Sequence, residues 1–220
     1  MENSINKTAI LLGATGLTGG ILLNFLLKDN AYSKIKIFGR SSVNINDQKI
    51  EEHLVDLFKL QDIAEEFKGD VVFCCIGTTK AKTPDKDTYK KIDYGIPTTA
   101  AHLAKRNNIS TFVVISSLGA NAKSSNFYSK VKGEMEREVL SKNIKDTFIL
   151  QPSLIGGSRD EKRIGERLAQ ITMKIVDFLI PKKYKIIEPE TVAKAMIVVS
   201  KKGYNENIIP SDKIKEIANA

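Results

Sequence analysis

The stretch Leu11-Leu-Gly-Ala-Thr-Gly-Leu-Thr-Gly-Gly20 directly follows a short apolar run and opens a longer amphipathic one. Its glycines at 13, 16 and 19 permit a tight turn, a close approach of backbone to a pyrophosphate group, and close contact between helix and sheet. The spacing is GxxGxxG, and no Gly-Lys-Ser/Thr follows, so a nucleoside-triphosphate loop does not fit. A glycine-rich string can also be an ordinary turn. Its place at the first strand-to-helix junction predicts a dinucleotide-binding loop.

Short apolar runs alternate with longer amphipathic stretches along the chain. Strands are predicted at 7–12, 34–38, 51–55, 71–76, 111–116 and 146–151. Helices are predicted at 17–29, 58–67, 88–107 and 125–142. This alternation is typical of βαβ units, and it predicts an α/β fold of the Rossmann type, a doubly wound parallel sheet with helices on both faces.

The pattern changes after Pro152, where a loop rich in glycine and charged residues begins. Helices are predicted at about 166–179 and 189–200, and a short strand near Asn207. We expect a single domain over residues 1–220, with a dinucleotide-binding core at about 7–151 and a small C-terminal substrate lobe at about 152–220.

The composition indicates a soluble globular protein. In a chain of 220 residues, 42% hydrophobic and 27% charged residues are near the globular average, and 14 glycines and two cysteines exclude collagen and disulfide scaffolds. The net charge of +8 permits weak attraction to nucleic acid or to an anionic membrane. Because the basic residues are dispersed and are not interleaved with aromatic residues, the pattern favours a solvated face over a nucleic-acid-binding surface.

The two cysteines and the N-terminal residues indicate the cellular compartment of the protein. Cys74 and Cys75 are adjacent in a predicted strand, whose successive side chains point to opposite faces, so we expect two buried thiols in a reducing compartment. The polar stretch 1–7 is unlike a signal peptide, and no run of 18 apolar residues predicts a membrane span. These features predict a cytoplasmic protein without a membrane segment.

The end of the second predicted strand indicates which dinucleotide is bound. NAD-selective sites place an acidic side chain about 20 residues beyond the loop, and here Arg40 and Ser41 follow the strand. An arginine can pair with a 2′-phosphate, so NADP(H) is favoured over NAD(H). Asp56, after the third strand, could accept a hydrogen bond from adenine or cap the helical stretch that follows it.

A second motif contains residue types that can transfer a proton. Tyr128 and Lys132 lie four residues apart in a predicted helix, on one face, where an ammonium group stabilises a phenolate. Ser116 and Ser117 end a central strand shortly before them, at the sheet edge where ligands of open α/β sheets bind. A phenol so placed could protonate a carbonyl oxygen, or accept a proton from an alcohol in the reverse direction.

Together these motifs resemble the atypical, NAD(P)-binding branch of the short-chain dehydrogenases/reductases, in particular oxidoreductases of the Tat-interacting-protein type and their bacterial relatives. The motifs that carry the resemblance run in the family's order over about residues 7–200: Gly13-Ala-Thr-Gly-Leu-Thr-Gly19, Gly39-Arg-Ser41, Cys75-Ile-Gly-Thr-Thr79, Ser116-Ser-Leu-Gly-Ala120, Phe127-Tyr-Ser-Lys-Val-Lys-Gly-Glu134, Gln151-Pro-Ser-Leu-Ile155 and Arg163-Ile-Gly-Glu166.

The resemblance implies roles for particular residues. Tyr128 would be the acid/base, Lys132 would bind the nicotinamide ribose, and Ser116 or Ser117 would bind the substrate oxygen. The residues expected to contact the cofactor are Gly13, Ala14, Thr15, Gly16, Leu17, Thr18, Gly19, Arg40, Ser41, Asp56, Ile76, Gly77, Thr78, Leu154 and Arg163. Arg163 could instead reach an anionic substrate.

Two departures from the family pattern affect the expected function. Gln151 stands where Arg is usual before Pro152, and the chain is much shorter than the sugar-nucleotide epimerases that share the glycine pattern. We therefore expect an NADP(H)-dependent oxidoreductase for an unknown small carbonyl or alcohol, acting as a monomer or homodimer. The alternative is a non-catalytic NADP(H)-sensing regulatory or interaction protein of the NmrA-like kind.

Overall fold

The computed structural model describes residues 6–156 and 181–220. Its strands are β1 (Lys7–Leu12), β2 (Tyr32–Gly39), β3 (Ile50–Leu54), β4 (Val71–Cys74), β5 (Thr111–Ile115), β6 (Asp146–Gln151) and β7 (Ile208–Pro210). They form one sheet in the order β3-β2-β1-β4-β5-β6-β7, and every neighbouring pair is parallel. The strand order reverses between β1 and β4, which confirms the predicted Rossmann-type fold.

The α-helices of the described ranges are α1 (Leu17–Lys28), α2 (Lys86–Lys90), α3 (Ile96–Arg106), α4 (Phe127–Ser141), α5 (Pro189–Lys202) and α6 (Ser211–Ala218). The helices predicted at 17–29, 125–142 and 189–200 correspond to α1, α4 and α5. The stretch predicted as a helix at 58–67 is a short 3-10 helix over Leu57–Ile63, and a second one spans Lys182–Tyr184. The prediction did not include α6, and the helix predicted at 166–179 lies outside the described residues.

The helix predicted at 88–107 is interrupted by a π-helical turn over Lys91–Gly95, between α2 and α3. In this turn the N–H of Ile96 donates to the carbonyl of Lys91, five residues earlier. Pro97 follows, and because proline has no N–H it cannot continue the usual bonding to the carbonyl of Asp93. The wider turn directs the fully buried Asp93 towards the sheet end, and π-helical turns are frequent at functional sites.

Both faces of the sheet are covered, as the alternating side chains of β4 show. Val71 and Phe73 belong to the core that α1, α5 and α6 cover. Val72 and Cys74 belong to the core beneath α3, α4 and the first 3-10 helix. Because β7 extends the sheet and α5 packs on α1, residues 189–220 share this core, and their proposed role in substrate binding stays a prediction. No helix within residues 6–156 and 181–220 is long and apolar enough to span a membrane.

Candidate active site

The loop between β1 and α1 requires glycine at two positions. Gly13 has φ of +87°, and a Cβ atom there would lie 2.9 Å from the backbone carbonyl of Cys75. A Cβ atom on Gly19 would overlap the carbonyl group of Gly13. The N–H of Gly16 donates to that same carbonyl at 3.0 Å, which closes the turn. The loop therefore packs tightly between the first turn of α1 and the end of β4, as expected of a dinucleotide loop.

The N-terminus of α1 is suited to an anion. Its N-cap is Gly16, no side chain of the described residues caps it, and its first turn contains no acidic residue. The first N–H groups of a helix lack intrahelical partners and carry partial positive charge. Thr15, Gly16 and Leu17 are exposed there. A pyrophosphate group fits this position.

A cavity of about 590 Å³ lies on one side of the glycine loop, at the ends of β1, β2 and β4. The cofactor residues predicted from the sequence that line it are Gly13, Ala14, Thr15, Arg40, Ser41, Asp56, Ile76, Gly77 and Thr78. Asp56 fits both interpretations, since its carboxylate accepts a hydrogen bond from the N–H of Phe58 at 3.0 Å, which caps the 3-10 helix, and it also faces the cavity.

A second cavity, of about 680 Å³, lies over the ends of β4, β5 and β6. The predicted site residues that line it are Gly16, Leu17, Thr18, Ile76, Gly77, Thr78, Ser116, Ser117, Lys132 and Leu154. Ile76, Gly77 and Thr78 line both cavities, so the two form one groove across the carboxyl edge of the sheet. A groove at this edge, where the strand order reverses, is where open α/β sheets bind ligands.

The ammonium group of Lys132 forms a buried ion pair in the second cavity. Its Nζ lies 2.8 Å from Oδ1 of Asp93, and the two side chains are 9% and 0% exposed. The other oxygen, Oδ2, accepts the N–H of Thr78 at 2.8 Å, so the carboxylate is held against the end of β4. Tyr89 lies nearby and is almost fully buried; burial first, and then the charge of Asp93, raises the pKa of its hydroxyl.

The two candidate serines have different surroundings. Ser116 is buried, and its hydroxyl donates a hydrogen bond to the carboxylate of Glu136. Gln151 donates to both oxygens of the same carboxylate, at 2.9 and 3.0 Å. Burial raises the pKa of Glu136, and the hydrogen bonds from Ser116 and Gln151 offset part of that effect. Ser117 is half-buried and also faces the cavity.

Tyr128 lies in the first turn of α4, where Asn126 caps the helix by accepting the N–H of Tyr128 at 3.0 Å. Its ring meets the ring of Tyr89 edge-on, with centroids 4.8 Å apart, and Nζ of Lys80 lies 5.9 Å from its centroid. Tyr128 stands beside the groove without lining either cavity. The structure thus brings Ser117 and Lys132 to one cavity, with Tyr128 one helical turn before Lys132.

Three residues of this region were missed from the sequence: Asp93, Tyr89 and Glu136. Asp93 and Tyr89 lie inside an apparently regular helical pattern, and only Pro97 signals the π-helical turn that presents Asp93. Glu136 lies one turn after Lys132, on the face of α4 that points inward, where a carboxylate is unexpected. Arg163, the last predicted cofactor contact, lies outside the described residues.

Comparison with known proteins defines the class. A family model described as NAD(P)H-binding matches residues 13–177, the greater part of the chain. The solved structure of UDP-glucose 4-epimerase from Thermotoga maritima superposes with a TM-score of 0.70 at 12% identity, and the match covers 96% of this chain and 81% of that one. The fold and the glycine loop therefore agree with an NAD(P)H-binding, dehydrogenase/reductase-like protein.

Two relatives place the chain more closely. Protein HTATIP2 of Rattus norvegicus is 36% identical over 169 residues, which are 75% of this chain and 69% of the relative. Protein FMP52, mitochondrial, of Candida albicans is 31% identical over 228 aligned positions, and the match covers 97% of this chain and 99% of the relative. The chain belongs to the NAD(P)H-binding family, among the atypical short-chain dehydrogenases/reductases of the HTATIP2 type.

The expected cytoplasmic location is corrected by the same comparison. The related proteins of Candida albicans, Scheffersomyces stipitis and Debaryomyces hansenii are all named mitochondrial. The prediction rested only on a polar N-terminus and the lack of a long apolar run, and neither feature distinguishes one aqueous compartment from another. The prediction of a cytoplasmic protein was therefore wrong.

Proposed function

We propose that this protein is an NADP(H)-dependent oxidoreductase that reduces a small carbonyl compound, with Ser117, Tyr128 and Lys132 as its catalytic residues. The observation that carries the proposal is the single groove at the carboxyl edge of the sheet. The loop suited to pyrophosphate lines both cavities of this groove, Arg40 lines the first cavity only, and Ser117 and Lys132 line the second cavity only.

The residues along the groove fit a bound dinucleotide. The loop and first turn at 13–18 would hold the pyrophosphate, and Arg40 and Ser41 would hold the 2′-phosphate. Asp56 would contact the adenine. Residues 76–78 would contact a ribose, and Leu154 would contact the nicotinamide. When bound, the reduced nicotinamide supplies hydride to a carbonyl carbon.

Ser117 is the serine we assign to the substrate oxygen. The hydroxyl of Ser116 is already committed to the carboxylate of Glu136, whereas Ser117 is half-buried and faces the cavity. A hydrogen bond from the Ser117 hydroxyl would hold the carbonyl oxygen and stabilise negative charge as it develops there.

Tyr128 would donate its phenolic proton to that oxygen, which completes the alcohol and leaves a phenolate that regains a proton from water. Lys132 would bind the nicotinamide ribose through its ammonium group. Tyr128 is half-buried beside the groove and precedes Lys132 by one turn of α4, which supports this assignment.

The proposal is tested by measuring NADPH oxidation with a panel of aldehydes and ketones on the wild-type protein and Tyr128→Phe. We expect turnover with some carbonyls, a loss of about 100-fold or more in kcat for Tyr128→Phe, and unchanged NADPH affinity. Tyr94→Phe is the matched control, because this tyrosine also lines neither cavity and its ring lies against Lys90, whereas the ring of Tyr128 lies against Tyr89. NADPH binding without turnover of any carbonyl would overturn the enzymatic proposal and favour a sensing role.

A further inference from the structure

A lysine on the loop that follows β4 lines the same groove as the glycine loop. We propose that Lys82 is a cofactor-binding residue whose ammonium group pairs with the pyrophosphate of the bound dinucleotide, an inference that rests on the proposed function. Lys82 would supply positive charge from the chain that follows β4, and the N-terminus of α1 would supply it from the chain that follows β1. Two separate elements would then hold the pyrophosphate.

Lys82 lies where the two cavities of the groove meet. In the part of the chain that the structure describes, the residues that line both cavities are Ile76, Gly77, Thr78 and Lys82. Lys82 is the one charged residue of these four. The glycine loop passes the same junction, because residues 13–15 line the first cavity and residues 16–18 line the second. A dinucleotide that spans both cavities has its central pyrophosphate at this junction, within the groove that Lys82 lines.

The loop that carries Lys82 is held against the end of β4. The carbonyl of Thr79 accepts the N–H of Lys82 at 3.1 Å and the N–H of Thr83 at 2.9 Å. The hydroxyls of Thr78 and Thr83 share a hydrogen bond of 2.8 Å. The N–H of Thr78 in turn donates to the carboxylate of Asp93 at 2.8 Å. These bonds fix the backbone at Lys82 beside the groove, so that its ammonium group is the part that adjusts to a ligand.

The charge of Lys82 is available to a ligand. The cations that line the groove in the described ranges are Arg40, Lys82 and Lys132. Lys132 pairs with the buried Asp93, and Arg40 is the residue that we assign to the 2′-phosphate. Lys82 is exposed, and no ion pair within residues 6–156 and 181–220 involves it. The carboxylate of Asp85, which also lines the first cavity, caps α2.

The inference is tested by titrating wild type and Lys82→Gln with NADPH and with NADH, followed by fluorescence at low ionic strength. Both dinucleotides contain the pyrophosphate, whereas only NADPH carries the 2′-phosphate. We expect Lys82→Gln to weaken the binding of both by the same factor, about five-fold or more. Lys82→Arg, which keeps the positive charge, should restore most of the affinity. Because the side chain is exposed, we expect these variants to fold as wild type does.

Lys80→Gln is the matched control. Lys80 is exposed on the same loop and carries the same charge, but it lines neither cavity. Its replacement should change both affinities by less than about two-fold, because solvent screens an exposed charge. Equal losses of affinity in Lys80→Gln and Lys82→Gln would overturn the inference, since they would show only the effect of net charge.

The pattern of losses separates the phosphates. A loss in Lys82→Gln that is confined to NADPH would overturn the inference, because it would assign Lys82 to the 2′-phosphate. Unchanged affinities for both dinucleotides would overturn it as well, and would leave the proposed function in place as long as wild type binds them. Failure of wild type to bind either dinucleotide would instead remove the proposed function, and this inference with it.

Discussion

Nε2 of Gln151 lies 2.9 Å from Oε1 of Glu136, so an amide group faces this buried carboxylate. In the family pattern described above, arginine is usual at this position before Pro152. An arginine would supply a full positive charge, whereas glutamine supplies only a dipole. Glu136 therefore keeps a raised pKa, caused by burial and only partly offset by its hydrogen bonds.

Replacing this carboxylate should change the pH dependence of the protein's stability. A carboxyl group whose pKa is raised by folding contributes stability below its unfolded value, near 4.5, and that contribution is lost as pH rises through the folded value. Glu136→Gln does not titrate, so its stability relative to wild type should increase between pH 4 and pH 8. Each unit of pKa difference corresponds to about 1.4 kcal/mol.

Denaturant unfolding at several pH values measures this difference. Glu138→Gln is the control, because Lys142 holds the pKa of that solvent-accessible carboxyl below its ordinary value, so the sign of the pH trend is reversed. A stability difference between Glu136→Gln and wild type that is the same at every pH would show that folding does not raise the pKa of Glu136.

Replacing Ser117 should change the catalytic rate, whereas replacing Ser116 should change the stability of the protein. Ser117→Ala should lower kcat by about 10- to 100-fold with little change in stability, because it removes a hydrogen bond to the developing oxyanion. Ser116→Ala should instead lower the free energy of unfolding by about 1–3 kcal/mol, because the buried carboxylate of Glu136 loses a donor. Steady-state kinetics and urea unfolding on both variants make the comparison. The reverse pattern would assign Ser116 to the substrate.

Gly133 lets α4 approach the loop that follows Ser117. A Cβ atom there would overlap the backbone of Asn121 and Ala122. Gly133→Ala should therefore destabilise the protein by about 1–3 kcal/mol, although alanine favours helices, because the loop must move away from α4. Urea unfolding measures the change.

Gly20→Ala in α1 provides the matched control for that substitution. Its Cβ atom would lie 3.3 Å from the carbonyl oxygen of Ala14, a contact that a small shift relieves. We expect its free energy of unfolding to stay within about 1 kcal/mol of wild type. Equal stability of Gly133→Ala and Gly20→Ala would contradict the tight packing of α4 against the loop.

The central strands β1, β4, β5 and β6 could be predicted well because each contains a run of apolar residues. The prediction at 7–12 matches β1 and that at 146–151 matches β6, while 71–76 extends two residues beyond β4. In a parallel sheet that helices cover on both faces, such apolar runs are buried in the centre of the sheet.

The ion pair of the site could not be predicted in this way. A π-helical turn changes the direction of one side chain, Asp93, without changing the apolar pattern around it. Its pairing with Lys132 joins residues far apart in sequence, as does the contact between Glu136 and Gln151. The four-residue spacing within one helix predicts that Tyr128 and Lys132 lie on the same face. It does not show which residues of other elements contact either side chain.

The central claim, that the groove binds NADP(H), is tested most directly by titrating the protein with NADPH and NADH, followed by fluorescence, on wild type and Arg40→Ala. We expect wild type to bind NADPH more tightly than NADH. Arg40→Ala should lower the affinity for NADPH by about ten-fold or more, which corresponds to about 1.4 kcal/mol, and should change the affinity for NADH little. Failure of wild type to bind either nucleotide would contradict the account, and equal losses for both in Arg40→Ala would contradict the assignment of Arg40 to the 2′-phosphate.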